Sequence, residues 1–248
     1  LRRGEAVEEE AAGELTLTQE ETAETIVPDY CPDIARIIET TGKVFLHSRE
    51  MRDGRAEISG TVRVTVLYTP ENESGVRALE FAMPFSAQGE GLAGCAHVVV
   101  ETEIELLESR MLNPRKIFTR CKLVTHLAGC RKVCLTISSD AETDPALLVE
   151  KRCCGQTVSL LRQVVEKDLT FSETMSLSLG REGAAELLHC RANGIVTETK
   201  AIGNKLIFKG VFLVSVLYRT TGGQLASASA ELPFSQIMET DSTDRRLR

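Results

Sequence analysis

Residues Met51–Tyr68, MRDGRAEISGTVRVTVLY, decide the fold. Asp53-Gly54 is a tight-hairpin pair, because the central residues of such a turn need positive φ, which Asp tolerates and Gly adopts freely. A period-two alternation follows. Ile58, Gly60, Val62, Val64, Val66 and Tyr68 point one way; Glu57, Ser59, Thr61, Arg63, Thr65 and Leu67 point the other. This pattern describes a strand with one dry and one wet face in an antiparallel sheet.

The stretch recurs 150 residues later. Gly60 becomes Gly210, Val64 becomes Val214, and Val66-Leu67-Tyr68 becomes Val216-Leu217-Tyr218. The correspondence runs without a gap from Val27–Tyr68 to Leu177–Tyr218, and Asp53-Gly54 falls on Gly203-Asn204, another hairpin pair. Past a polar loop the offset drops by one, so that Pro84-Phe85-Ser86 falls on Pro233-Phe234-Ser235. Loops are where repeats change length. The expected fold is therefore all-β, with two tandem copies of a β-sandwich-like domain built from long hairpins. Residues 1–13 are expected to form a flexible arm, 14–145 a first domain, and 146–248 a diverged second domain incomplete at its C-terminus. Nothing in the second repeat matches the Val98–His126 hairpin. Either the parent chain continues or a neighbouring subunit supplies those strands; continuation is the first expectation.

Outward from the central strand, Ile26–Ile38 contains Pro28 and Pro32, which lack backbone donors and hold their predecessors extended. Asp33 is expected to cap a short helical turn that carries Ile34, Ile37 and Ile38 inward at i, i+3, i+4. Strands are predicted at Leu15–Thr18, Lys43–Glu50, Val76–Ser86, Val98–Glu108, Lys116–His126 and, separately, Cys130–Ser138. Gln88–Gly94 reads as a loop. Asn113-Pro114 turns the second hairpin, and Asp140–Ala146 reads as a linker. Val158, Leu161, Val164 and Val165 fit either a helix face or a strand; strand is the reading adopted.

The wet face of the central strand changes between repeats, from Thr61, Arg63 and Thr65 to Val211, Leu213 and Ser215. Val211 and Leu213 are candidate interface residues, against the first repeat or another subunit; deeper burial within their own domain is an equal reading. Asp29 and Asp33, beside two prolines, are also candidate contact residues. Their spacing suits turn capping better than acid/base work.

Composition narrows the function classes. A net charge of −7 argues against a nucleic-acid surface, and the absence of Trp with 4% aromatics argues against stacking platforms for bases or sugars. No apolar run approaches the roughly 20 residues that span a bilayer, so no membrane insertion is expected. Among the eight cysteines, Cys130 and Cys134 stand near Cys121 and His126, yet on one strand they would lie about 13 Å apart, too far for one metal. No metal and no cofactor is expected. Adjacent Cys153 and Cys154 form a candidate cross-linking site. His47, His97, His126 and His189 pair with no recognisable nucleophile, and no phosphate-binding glycine pattern occurs, so no catalytic residue is assigned and no enzyme is expected.

The segment VPDYCPDIARIIETTGKVFLHSREMRDGRAEISGTVRVTVLYTPE, with the later MPFS, resembles the SPOCS domain of endospore-forming Firmicutes. The matches are Val27, Pro28, Asp29, Pro32, Asp33, Ile34, Ile37, the Asp53-Gly54 turn, Gly60, Val62, Val64, Val66-Leu67-Tyr68 and Pro84-Phe85; the turn around Arg110–Lys116 is similar as well. The second repeat departs from the pattern, with Ser178 and Glu182 in place of the prolines. The resemblance implies a structural, non-enzymatic part in assembling the bacterial endospore envelope, through contacts of sheet edges or faces with other envelope proteins or with itself. It implies a place in the mother-cell cytoplasm at the forespore surface, in the spore coat or exosporium. No LysM-like segment is visible in these residues, so no peptidoglycan contact is expected of this chain. The alternatives are a self-assembling, disulfide-cross-linked fibre or exosporium lattice subunit, and a cell-surface ligand-binding module.

Overall fold

A computed structural model describes residues 2–140, 161, 163–168, 170, 172, 174 and 182–240. All its regular structure is β: β1 (Arg2–Ile26), β2 (Ile34–Arg52), β3 (Arg55–Pro70), β4 (Arg77–Glu90), β5 (His97–Asn113), β6 (Lys116–Asp140), β7 (Ala184–Ile202), β8 (Lys205–Thr220) and β9 (Leu225–Glu239). They form three antiparallel sheets in the orders β1-β6-β5, β2-β3-β4 and β7-β8-β9.

The two-residue turns follow from their sequences. Asp53 and Gly54 both have positive φ, 51° and 80°, as a type I′ turn requires. Their counterparts have positive φ only at Gly203, 61°, the pattern of a type II′ turn. The repeat extends to the irregularities. β2 shifts register at Ile34/Arg36, Ile37/Glu39 and Leu46/Ser48; β7 shifts at Ala184/Glu186, Leu187/His189 and Val196/Glu198, each 150 residues on.

The Pro-Phe pair that closes each repeat also has a physical reason. Phe85 on β4 lies opposite Gly60, and Phe234 on β9 lies opposite Gly210. Each ring occupies the space that a side chain on its glycine would need. Pro84 and Pro233 sit on the edge strands β4 and β9, where a missing N–H discourages further strand pairing.

In the first repeat β2-β3-β4 stacks on β1-β6-β5. Val62, Val64, Val66, Tyr68, Met83 and Phe85 from one layer meet Ile117, Cys121 and Leu123 from the other, all at most 4% exposed. Burial pushes the Cys121 thiol up to about 11, with the Glu21 carboxylate adding to it. Burial, then the neighbouring Cys31, pushes the Tyr68 hydroxyl up to about 12. Both groups fold in their neutral form with raised values. Their contribution to stability is therefore full below about pH 9 and is lost as pH rises through the folded values. The denaturant midpoint is expected to fall between about pH 9 and pH 11, and to fall less in Cys121→Ala. An identical pH dependence in the variant would remove Cys121 from this account.

Four expectations are corrected. Residues 2–13 are not a free arm: they begin β1, paired along β6. Charged side chains hold this pairing across the strands, as in Arg131 Nε donating to Glu10 Oε1 at 2.6 Å. Ile34–Ile38 is strand rather than helical turn. The bulges in β2 re-aim its side chains, so that Ile34 is buried and Ile37 packs on the core while Ile38 is 51% exposed. Cys130–Ser138 is no separate strand, since β6 runs unbroken from Lys116 to Asp140. Leu161, Val164 and Val165 lie outside any strand. This segment makes isolated bonds beside β1: Glu9 N–H donates to Leu161 O at 2.9 Å, and Val164 N–H donates to Glu9 Oε2 at 2.8 Å. Val158, with most of the expected linker, lies outside the described residues.

Candidate protein-contact surfaces

The loop Val27–Asp33 carries the chain from one layer of the first sandwich to the other. Its ends dock on the β5–β6 turn: Val27 N–H donates to Arg115 O, and Ile34 N–H to Pro114 O, each at 2.9 Å. Cys31 N–H closes a turn onto Pro28 O at 2.9 Å, and the Tyr68 hydroxyl donates to Pro32 O at 3.3 Å. The Arg115 guanidinium fills the loop. Its Nη1 donates to Cys31 O at 2.7 Å and Asp33 Oδ1 at 3.0 Å; its Nη2 donates to Val27 O at 2.8 Å and Asp29 Oδ1 at 3.3 Å.

Asp29 and Asp33 are thus brought together by one cation, which closes the loop. The fork geometry of arginine suits this, because it serves several acceptors at fixed angles. Sequence reading placed Arg115 near a turn and missed its role. The available signal was a loop with two prolines, two aspartates and carbonyls that need a donor. At the tip, Tyr30 is 87% exposed and the Asp29 side chain stands fully in solvent. The loop thus presents an exposed aromatic beside a carboxylate on a backbone tied down by one guanidinium. Its counterpart in the second repeat lies largely outside the described residues.

A second surface lies between the repeats. Leu67 and Val76 of the first pack against Leu188 of the second, with Ala78 and Leu217 beside them. This contact explains why the wet face of β3 dries at its end, where Leu67 is buried at 6%. Lys43 Nζ donates to Cys190 O at 2.8 Å, tying β2 to the edge of β7. Beyond these ties a cleft of about 1120 Å³ opens, lined among others by Arg63, Glu80, His189, Arg191 and Ser215. Val211 and Leu213 do not line it: Val211 is half-buried and Leu213 is 37% exposed further along the same strand.

Among the described residues no cluster of three His, Cys, Asp or Glu side chains is placed to hold a metal. Cys134 is exposed, Cys121 and Cys130 are buried, and Cys31, Cys95 and Cys190 lie between. Cys153 and Cys154 fall outside the described residues.

The family described as SipL, SPOCS domain matches residues 33–112 and 184–245, together more than half of the chain. The chain belongs to the SPOCS-domain family. The first SPOCS match spans β2 to β5 and the second spans β7 to β9, so the two matches fall on the two repeats. Neither curated proteins nor solved structures yield a match.

Proposed function

We propose that this SPOCS protein is a non-catalytic structural component of the bacterial endospore envelope, working through protein–protein contacts at the forespore surface. The observation that carries the reading is the loop tip. Tyr30 and Asp29 project from a segment held by Arg115 on four acceptors, so a partner meets a surface that needs little ordering. Family membership supplies the link to sporulation.

A fluorescent fusion of the chain, expressed in a sporulating Firmicute, tests both parts. The wild type is expected to ring the forespore. Tyr30→Ala combined with Asp29→Lys is expected to move most of the signal into the mother-cell cytoplasm, with the circular dichroism of the purified variant unchanged. A diffuse wild type would sink the envelope reading. A ring that survives the double substitution would move the contact away from this loop.

A further inference from the structure

One end of the first sandwich encloses a cavity of about 200 Å³. Its apolar walls are Met51 on β2, Ala56 and Ile58 on β3, Val98 and Val100 on β5, and Leu127 on β6. Ala56, Ile58, Val98 and Leu127 are themselves buried in one packed cluster. Protein interiors leave few voids of this size. The second repeat carries Leu206 and Phe208 where the first has Ala56 and Ile58. The repeat therefore accepts larger side chains at both positions, and its backbone does not impose the void.

Two basic side chains complete the lining, Arg49 on β2 and His97 on β5. These strands are edges of the two facing layers. Both side chains reach one carboxylate. Arg49 Nη1 donates to Glu166 Oε2 at 2.8 Å, and His97 Nε2 lies 3.1 Å from the same oxygen. That nitrogen is buried, and among the described residues no partner is aligned to hydrogen-bond it. Glu166 belongs to no strand; it comes from the segment whose Leu161 and Val164 bond to Glu9. Glu50, the other charged residue of the lining, is paired with Arg52 at 2.6 Å. The second repeat has Thr199 in place of Arg49, so the repeat that keeps the small wall residue also keeps the cation.

We infer that this cavity is a binding site for a small organic acid, an aromatic ring or short aliphatic chain that ends in a carboxylate, and that Glu166 occupies its cationic end in the free protein. An apolar cavity of about 150 Å³ holds a benzene ring, so this one has room for a ring on a short stem. A ligand carboxylate has two oxygens and can serve Arg49 and His97 together, whereas Glu166 offers both the same one. Burial of the tail supplies affinity, and the paired head fixes orientation.

The inference stands on this cavity alone and holds whether or not the chain resides in the endospore envelope. Titration of the isotope-labelled full chain with phenylacetate, read by chemical shifts, tests it. Binding is expected with a Kd of about 1 mM or tighter. Glu166→Gln vacates the cationic end and should tighten binding at least about 5-fold. Phenethyl alcohol, which lacks the charge, should bind at least about 10-fold more weakly than the acid. Arg49→Met should bring the acid down to the level of the alcohol. Ala56→Leu copies the second repeat and fills the cavity; it should abolish binding, with the circular dichroism of the wild type retained. No shift change up to about 10 mM phenylacetate in either wild type or Glu166→Gln overturns the inference. Binding that survives Ala56→Leu, or equal affinity for acid and alcohol, also overturns it. An affinity that Glu166→Gln leaves unchanged overturns the role given to Glu166.

Discussion

Gly60→Val is expected to destabilise the first repeat by about 3 kcal/mol or more, enough to unfold a marginal domain. Gly60 is buried in the middle of β3, between β2 and β4. A Cβ at this position would stand 2.5 Å from Phe45 O and 2.6 Å from Phe85 Cζ. The carbonyl belongs to the β2–β3 ladder and cannot retreat without breaking it. The ring is 4% exposed and has nowhere to turn. Gly210→Val meets the same two kinds of atom, Ile195 O and the Phe234 ring, but Phe234 is half-exposed and can swing aside. The cost should therefore be smaller in the second repeat, and the comparison isolates the ring's confinement. A double-mutant cycle of Gly60→Ala with Phe85→Ala, followed by urea denaturation, gives the decisive number. Removing the ring should relieve part of the overpacking, with a coupling of at least about 1 kcal/mol. Additive costs would mean that the ring does not confine Gly60, and the pairing of glycine with Pro-Phe in both repeats would need another reason.

What the sequence disclosed and what it hid divide along a physical line. Alternation from Ile58 to Tyr68, the Asp53-Gly54 turn and the 150-residue offset are local or periodic, and each reappears in the structure. Bulges are local too, but they imitate another period. Two register shifts in β2 made Ile34, Ile37 and Ile38 look like one face of a helix. Residues 2–13 looked like a solvated tail because charge was counted and its pairing across β6 could not be. The same limit hid the burial of Leu67, which packs with Leu188 more than 100 residues away. Arg115 lies 82 to 88 residues from the groups it binds, and no spacing rule joins them.

That long reach makes Arg115 the position where a conservative change should matter most. Arg115→Lys is expected to cost about 2 kcal/mol and to release the loop tip, although charge is retained. A single ammonium cannot serve Val27 O and Cys31 O while also holding Asp29 and Asp33, because these acceptors are divided between the two terminal nitrogens of the guanidinium. With three N–H groups for four acceptors, at least one carbonyl or carboxylate loses its donor. The backbone bonds of Val27 N–H and Ile34 N–H to the β5–β6 turn do not involve the side chain, so the loop's ends should stay in place. The expected result is therefore local opening and not loss of the sandwich. Chymotrypsin reads it directly. Tyr30 is exposed, yet cleavage after it requires the loop to leave its turn, so the wild type should be cut slowly. The variant should be cut at least about 10-fold faster at this bond, with its strand signal retained. Asp33→Asn should open the loop more than Asp29→Asn, since Asp33 is the closer and less exposed partner, at 3.0 Å against 3.3 Å. Equal cleavage rates in wild type and Arg115→Lys would show that the prolines and the end contacts order the loop without the guanidinium.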